Sequence, residues 1–96
     1  MFLIFKRIIK MTQFVDAIAA GAVSLRDSVS RALENYFNQL GNQKPNDVYD
    51  MVMREVEEPL LRKMMIYTNN NQSRTAKLLG LSRGTLRKKL KLYDML

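Results

Sequence analysis

Five cations crowd one short stretch near the C-terminus, Arg83, Arg87, Lys88, Lys89 and Lys91, with no acid among them before Asp94. Such side chains donate hydrogen bonds to phosphate oxygens and to guanine O6 and N7, so their chemistry is that of polyanion recognition. Their spacing sorts them by direction. At about 100° per residue, Leu86, Leu90 and Tyr93 fall on the inward flank of a helix. Gly84, Thr85, Lys88 and Lys91 fall opposite, with Arg83 at the N-terminal end and Arg87 beside them. A helix with that outer face fits the major groove of a duplex, its N-terminus favours phosphate, and Gly84 permits close approach.

The residues just upstream are those needed to hold such a helix. Asn71 is suited to cap a helix opening at Gln72, and Ala76 is small where two helices would cross. Gly80 can take the positive φ that ends the first helix, Ser82 can cap the second, and Leu79, Leu81, Leu86 and Leu90 supply an apolar core between them. From Asn71 to Tyr93 this is the grammar of a helix-turn-helix.

The charge of the whole chain points the same way. Of a net +7, residues 71–96 hold +6, with seven Lys/Arg against Asp94 alone, while nine cations nearly balance eight acids in residues 1–70. An asymmetry of this kind suggests a polyanionic partner, nucleic acid or an anionic membrane surface. The chain has no Cys and no His, which removes disulfides, thiol nucleophiles, zinc-thiolate sites and the usual proton carrier near neutral pH. No paired, apolar-flanked carboxylates stand out, so no enzyme, metal or cofactor is expected. At 96 residues, with 47% hydrophobic and 26% charged residues, the chain has room for one folded domain.

Residues 1–10 are apolar but carry Lys6, Arg7 and Lys10, fall short of a membrane span, and reverse the order of a secretory signal. They suit a basic amphipathic anchor less well than an over-extended reading frame with Met11 as the start. Residues 1–24 read as a flexible N-terminal arm, 14–24 lacking a sustained period, and residence is expected in the cytoplasm.

A first helix opens at Ser24, paired with Asp27, carries Leu25, Val29, Leu33, Phe37 and Leu40 on one side, and closes at Gly41. After Asn42-Gln43-Lys44-Pro45, Asn46 is expected to cap a second helix running to about Thr68, kinked at Pro59. Val48, Val52, Val56, Leu60, Met64 and Tyr67 line one side, and Met51, Leu61 and Met65 widen that apolar surface. Two helices cannot cover so much apolar surface, and a second copy of the chain would complete a four-helix bundle. The fold class is all-α: two long dimerisation helices over 25–68, with Leu33, Phe37, Val48, Val52, Val56, Leu60 and Met64 in the dimer core, followed by the helix-turn-helix of 71–93.

From about Leu25 to Tyr93 the chain resembles the Fis family of nucleoid-associated proteins. The resemblance rests on Leu25-Arg26-Asp27-Ser28-Val29, Glu55-Val56-Glu57-Glu58-Pro59-Leu60-Leu61 and Arg83-Gly84-Thr85-Leu86-Arg87-Lys88-Lys89-Leu90-Lys91. It implies an intertwined homodimer whose two recognition helices stand closer than one turn of straight DNA, so that docking both bends the duplex. By resemblance the DNA contacts are Asn71, Ser73, Arg74, Arg83, Thr85, Arg87, Lys88, Lys89 and Lys91. The implied role is to bind and bend double-stranded DNA with degenerate preference, in chromosome organisation and transcription regulation at the nucleoid.

The chain also departs from the family pattern. Ser82 stands where Asn is usual, Leu92 where Lys is common, and Asn69-Asn70 where the family carries an Arg-Gly that touches RNA polymerase, which weakens polymerase contact as a carry-over. Residues 1–24 do not match the arm that stimulates DNA invertases, and that contact is not assigned. A stand-alone relative of the nitrogen-regulator-type output domain shares the final motif, though not the modules that precede it there. A basic membrane-surface or RNA-binding module explains the charge but not Ala76, Gly80 and the Leu spacing. Tyr36, Phe37, Tyr49 and Tyr67 lie on core stripes rather than in a base-stacking cluster.

Overall fold

The computed structural model describes residues 2–19 and 24–96, and the regular structure there is entirely helical. The helices are α1 (Phe2–Ala19), α2 (Leu25–Leu40), α3 (Val48–Tyr67), α4 (Gln72–Leu79) and α5 (Arg83–Leu92). They belong to two compact units, Met1–Asn46 with α1 and α2, and Asp47–Leu96 with the other three. The division falls between α2 and α3, inside the stretch 25–96 that reads as one domain. No described helix is long and apolar enough to cross a membrane.

The helix α1 occupies most of the stretch read as a flexible N-terminal arm. Between Phe2 and Ala19 there is no Gly or Pro, and Ile4, Ile8, Met11 and Val15 recur at helical spacing. These four side chains are all exposed, so nothing in the fold reveals them as a core stripe. The remainder of the expected arm, residues 20–23, lies outside the described residues.

The second helix forms as its sequence dictates. The Ser24 hydroxyl accepts the Asp27 N–H at 3.0 Å, and Gly41 ends the helix at φ 60°. No residue of α2 is buried in the single chain; Leu33 is half-buried and Phe37 is exposed.

The cap of α3 is Asp47, not Asn46. Asp47 takes the left-handed conformation, φ 51° and ψ 37°, which Asp tolerates better than most residues, and its side chain makes no capping bond. The helix then runs unbroken through Pro59, which leaves the Glu55 carbonyl without its usual donor. Its end is set by two consecutive asparagines: Asn69 and Asn70 have φ of 54° and 64°, and the Asn70 N–H returns to the Met65 carbonyl at 2.8 Å. That return bond is repeated at the ends of α4 and α5, Leu81 to Ala76 at 2.9 Å and Met95 to Leu90 at 2.8 Å, each past a left-handed residue.

The core of the second unit is Leu61, Met65, Ala76, Leu86 and Leu90, with Leu79, Tyr93 and Met95 packed against it. Leu61 and Met65 are thus covered by α4 and α5 of their own chain, a correction to the view that they widen a surface awaiting a partner. The stripe beside them stays open: Val48, Val52, Val56 and Met64 are half-buried and Leu60 is exposed. Leu81 is only half-buried and stands outside the cluster.

Candidate nucleic-acid interface

Local hydrogen bonds position α4 and α5. The Asn71 side chain accepts the Arg74 N–H at 3.0 Å, opening α4, and Gly80 closes it at φ 78°. The Ser82 hydroxyl accepts the Thr85 N–H at 3.1 Å and bonds the Thr85 hydroxyl at 2.8 Å, opening α5. Two fully buried leucines, Leu86 and Leu90, fix the rotation of α5 about its axis, at a cost of about 2–5 kcal/mol if either were truncated.

That rotation turns Arg83, Gly84, Thr85, Arg87, Lys88 and Lys91 to the surface, as the helical wheel predicts. Among the described residues Arg83, Lys88 and Lys91 enter no ion pair and no side-chain hydrogen bond, so their charges face solvent uncompensated. A Cβ added at Gly84 would meet nothing within 4 Å, which makes the first turn of α5 a bare patch between cations. Asn71 and Ser73 are exposed at the start of α4.

Three of the expected cationic contact residues have side-chain partners within the chain. Arg87 donates to the Gln72 side chain at 3.0 Å, tying α5 to the first turn of α4. The Arg74 guanidinium lies over the Tyr67 ring, 5.7 Å from its centroid, where its charge meets the negative face of the π system. Tyr67 itself is exposed, as is Tyr49, so neither is core within the single chain.

Lys89, a DNA contact by resemblance, is turned onto α3 in the single chain. Its Nζ donates to Glu57 Oε2 at 2.5 Å, while the Tyr93 hydroxyl donates to Glu57 Oε1 at 2.7 Å. The bond from Lys89, then that from Tyr93, holds the Glu57 carboxyl below its ordinary range. Desolvation together with the adjoining carboxylate pushes the Tyr93 hydroxyl up to about 12. Glu57 was not among the residues singled out from the sequence, where it looks like one more acid of an acidic turn.

A short capped pair of helices with an acid-free cationic outer flank, seated on a third helix, defines a helix-turn-helix protein. Residues 52–93 match the family model described as bacterial regulatory protein, Fis family, and residues 6–45 match that of the DNA-binding protein Fis N-terminal domain. The proteins called DNA-binding protein Fis from Proteus mirabilis, Sodalis glossinidius and Escherichia coli O1:K1 / APEC are each 59% identical over 71 residues, covering 74% of this chain and 72% of theirs. The chain belongs to the Fis family. The N-terminal match starts at residue 6 and corrects the reading that all of residues 1–24 depart from the family.

Proposed function

We propose that the chain is a homodimeric, nucleoid-associated protein that binds and bends double-stranded DNA with degenerate sequence preference, in chromosome organisation and transcription regulation. The observation that carries this reading is the outer flank of α5, where Arg83, Lys88 and Lys91 stand unpaired around Gly84 and Thr85. Arg83 at the entry of the helix reads a base edge, Thr85 and Arg87 flank it, and Lys88 and Lys91 meet phosphates. Asn71, Ser73 and Arg74 meet the backbone from the start of α4. The relatives' shared name, DNA-binding protein Fis, supports the same partner.

The dimer follows from apolar surface left uncovered. Phe37 and Leu60 are exposed in the single chain, and Leu33, Val48, Val52, Val56 and Met64 are only half-buried. A second copy would cover these side chains and pair two recognition helices across a two-fold axis. Set closer than about 34 Å, one helical turn of DNA, they reach successive major grooves only on a bent duplex. The match of residues 6–45 to a Fis N-terminal domain supports this reading over a stand-alone nitrogen-regulator-type output domain.

The test combines sedimentation equilibrium with a gel shift on circularly permuted duplexes. The expected results are a species of twice the 11.2 kDa chain mass and a mobility that depends on where the site lies in the fragment. A monomer, or a mobility independent of site position, would refute dimerisation or bending respectively.

A further inference from the structure

Glu57 occupies a singular position on α3. Its neighbour Glu58 pairs along its own helix with Arg62 at 2.9 Å, whereas Glu57 reaches across to α5 and spends both oxygens there. The two donors, Lys89 and Tyr93, lie one turn apart on the same flank, so one carboxylate spans the last turn of the recognition helix. The pair is sheltered: the Lys89 side chain retains 32% of its exposure and that of Glu57 18%.

We propose that Glu57 is a positioning residue that withholds Lys89 from the phosphate backbone and thereby sets how many phosphate contacts α5 makes. The proposal rests on the DNA-binding reading above. Four side chains near the end of α5 form two groups: Lys88 and Lys91 are exposed and uncompensated, whereas Lys89 and Tyr93 are turned onto Glu57. For a phosphate to capture Lys89, the ammonium must leave a carboxylate already held at 2.5 Å, and Glu57 would keep only the Tyr93 hydroxyl in a half-buried site. A sheltered carboxylate stripped of its charged partner is costly, so the bond inside the protein prevails. The exposed pairs of most surfaces lack this shelter and would yield.

The consequence is a ceiling on affinity shared by all duplexes, since phosphate contacts carry no sequence information. Each phosphate neutralised adds about 0.9 to the steepness of log Kobs against log salt on B-DNA, so the count of contacts can be read directly.

The experiment measures that slope for a random-sequence duplex by fluorescence anisotropy, using the full chain, Lys89→Ala, Glu57→Gln, the double variant and Tyr93→Phe. Lys89→Ala is expected to keep the parent slope, because the ammonium is not on the DNA. Glu57→Gln is expected to steepen it by about 0.9 per subunit as Lys89 is released, and the double variant to return to the parent value. Tyr93→Phe, which leaves the Glu57 charge on Lys89, is expected to leave the slope alone. A purely structural role for Glu57 would weaken binding without steepening the slope. Lys89→Ala lowering the slope by about 0.9 per subunit, or an unchanged slope in folded Glu57→Gln, would overturn the proposal. Helix content by circular dichroism establishes folding for each sample, and should Glu57→Gln not fold, the Lys89→Ala slope alone decides. A parent chain that binds no duplex in a salt-dependent way overturns the DNA-binding reading itself, an outcome distinct from a binding parent with unaltered variants.

Discussion

The hydroxyls of Thr68 and Thr75 lie 2.6 Å apart, both buried, at the point where the end of α3 meets α4. Thr68 donates to the Met65 carbonyl at 3.3 Å, which assigns Thr75 as the donor to Thr68. The helix-turn-helix is therefore joined to α3 by a small polar contact beside the Leu61 and Met65 packing. Thr68→Val should cost about 1–3 kcal/mol, because it leaves the buried Thr75 hydroxyl partnerless, and Thr75→Val should cost less, because Thr68 keeps the Met65 carbonyl. The double variant should cost less than the sum, as an apolar pair of the same shape leaves nothing unsatisfied. Urea denaturation of the four proteins checks this; strict additivity would contradict the coupling.

Two glycines should respond with opposite sign. Gly80 sits at φ 78° with open space around it, so Gly80→Ala meets no clash and suffers only the left-handed conformation, about 1–2 kcal/mol. Gly84 lies inside α5 with equally open space, so Gly84→Ala should stabilise by about 0.5–1 kcal/mol. If close approach to a duplex uses that bare patch, the same Ala weakens DNA binding. Thermal unfolding and anisotropy titration of both variants separate the two effects.

The carboxylate latch predicts a shape for stability against pH. The folded Glu57 carboxyl titrates below its ordinary 4.5, so its contribution is complete above about pH 4.5 and disappears as pH falls through the lower folded value. Tyr93 behaves in reverse: with its hydroxyl raised from 10.0 to about 12, its contribution is complete below pH 10 and is lost as pH climbs through 12. Glu57→Gln should flatten the acid limb of a denaturation series and Tyr93→Phe the alkaline limb. An acid limb unaltered by Glu57→Gln would assign acid sensitivity to other carboxylates.

On DNA, Arg83 and Lys91 should fail differently. Arg83→Ala should cost about 1–3 kcal/mol on a preferred site and flatten discrimination among sequences. Lys91→Ala should weaken all duplexes alike and lower the salt slope by about 0.9 per subunit. Competition titrations with specific and random duplexes make the comparison, and equal losses on both for Arg83→Ala would exclude base readout by that residue.

The uncovered stripe on α3 makes Val52 a sensitive position. Val52→Asp should unfold the chain rather than release a folded monomer, since a charge buried against a second copy without a partner costs several kcal/mol. A helical, cooperatively melting monomer of this variant would remove the second copy from the folded core.

The helix-turn-helix was legible at all its expected core and cap positions but Leu81, because its determinants are local. Asn71 and Ser82 accept the N–H three positions on, Gly80 turns through positive φ, and Leu86 and Leu90 are fully buried, as four-residue chemistry and helical spacing dictate. In α1 the helical spacing of Ile4, Ile8, Met11 and Val15 and the absence of helix breakers were the only marks, since these apolar side chains are exposed and show no packing that would define a core stripe. The division of labour on α3 belongs to tertiary structure. Leu61 and Met65 look no different in sequence from Leu60 and Met64, and only the seating of α4 and α5 covers one pair while leaving the other open to varying degrees. Lys88 and Lys89 are likewise adjacent and alike, yet they lie about 100° apart on α5. Glu57, 32 residues before Lys89, meets one and not the other. Local periodicity settles which flank of a helix is apolar; which charge on that helix remains free depends on the register between elements distant in sequence, and packing alone sets that register.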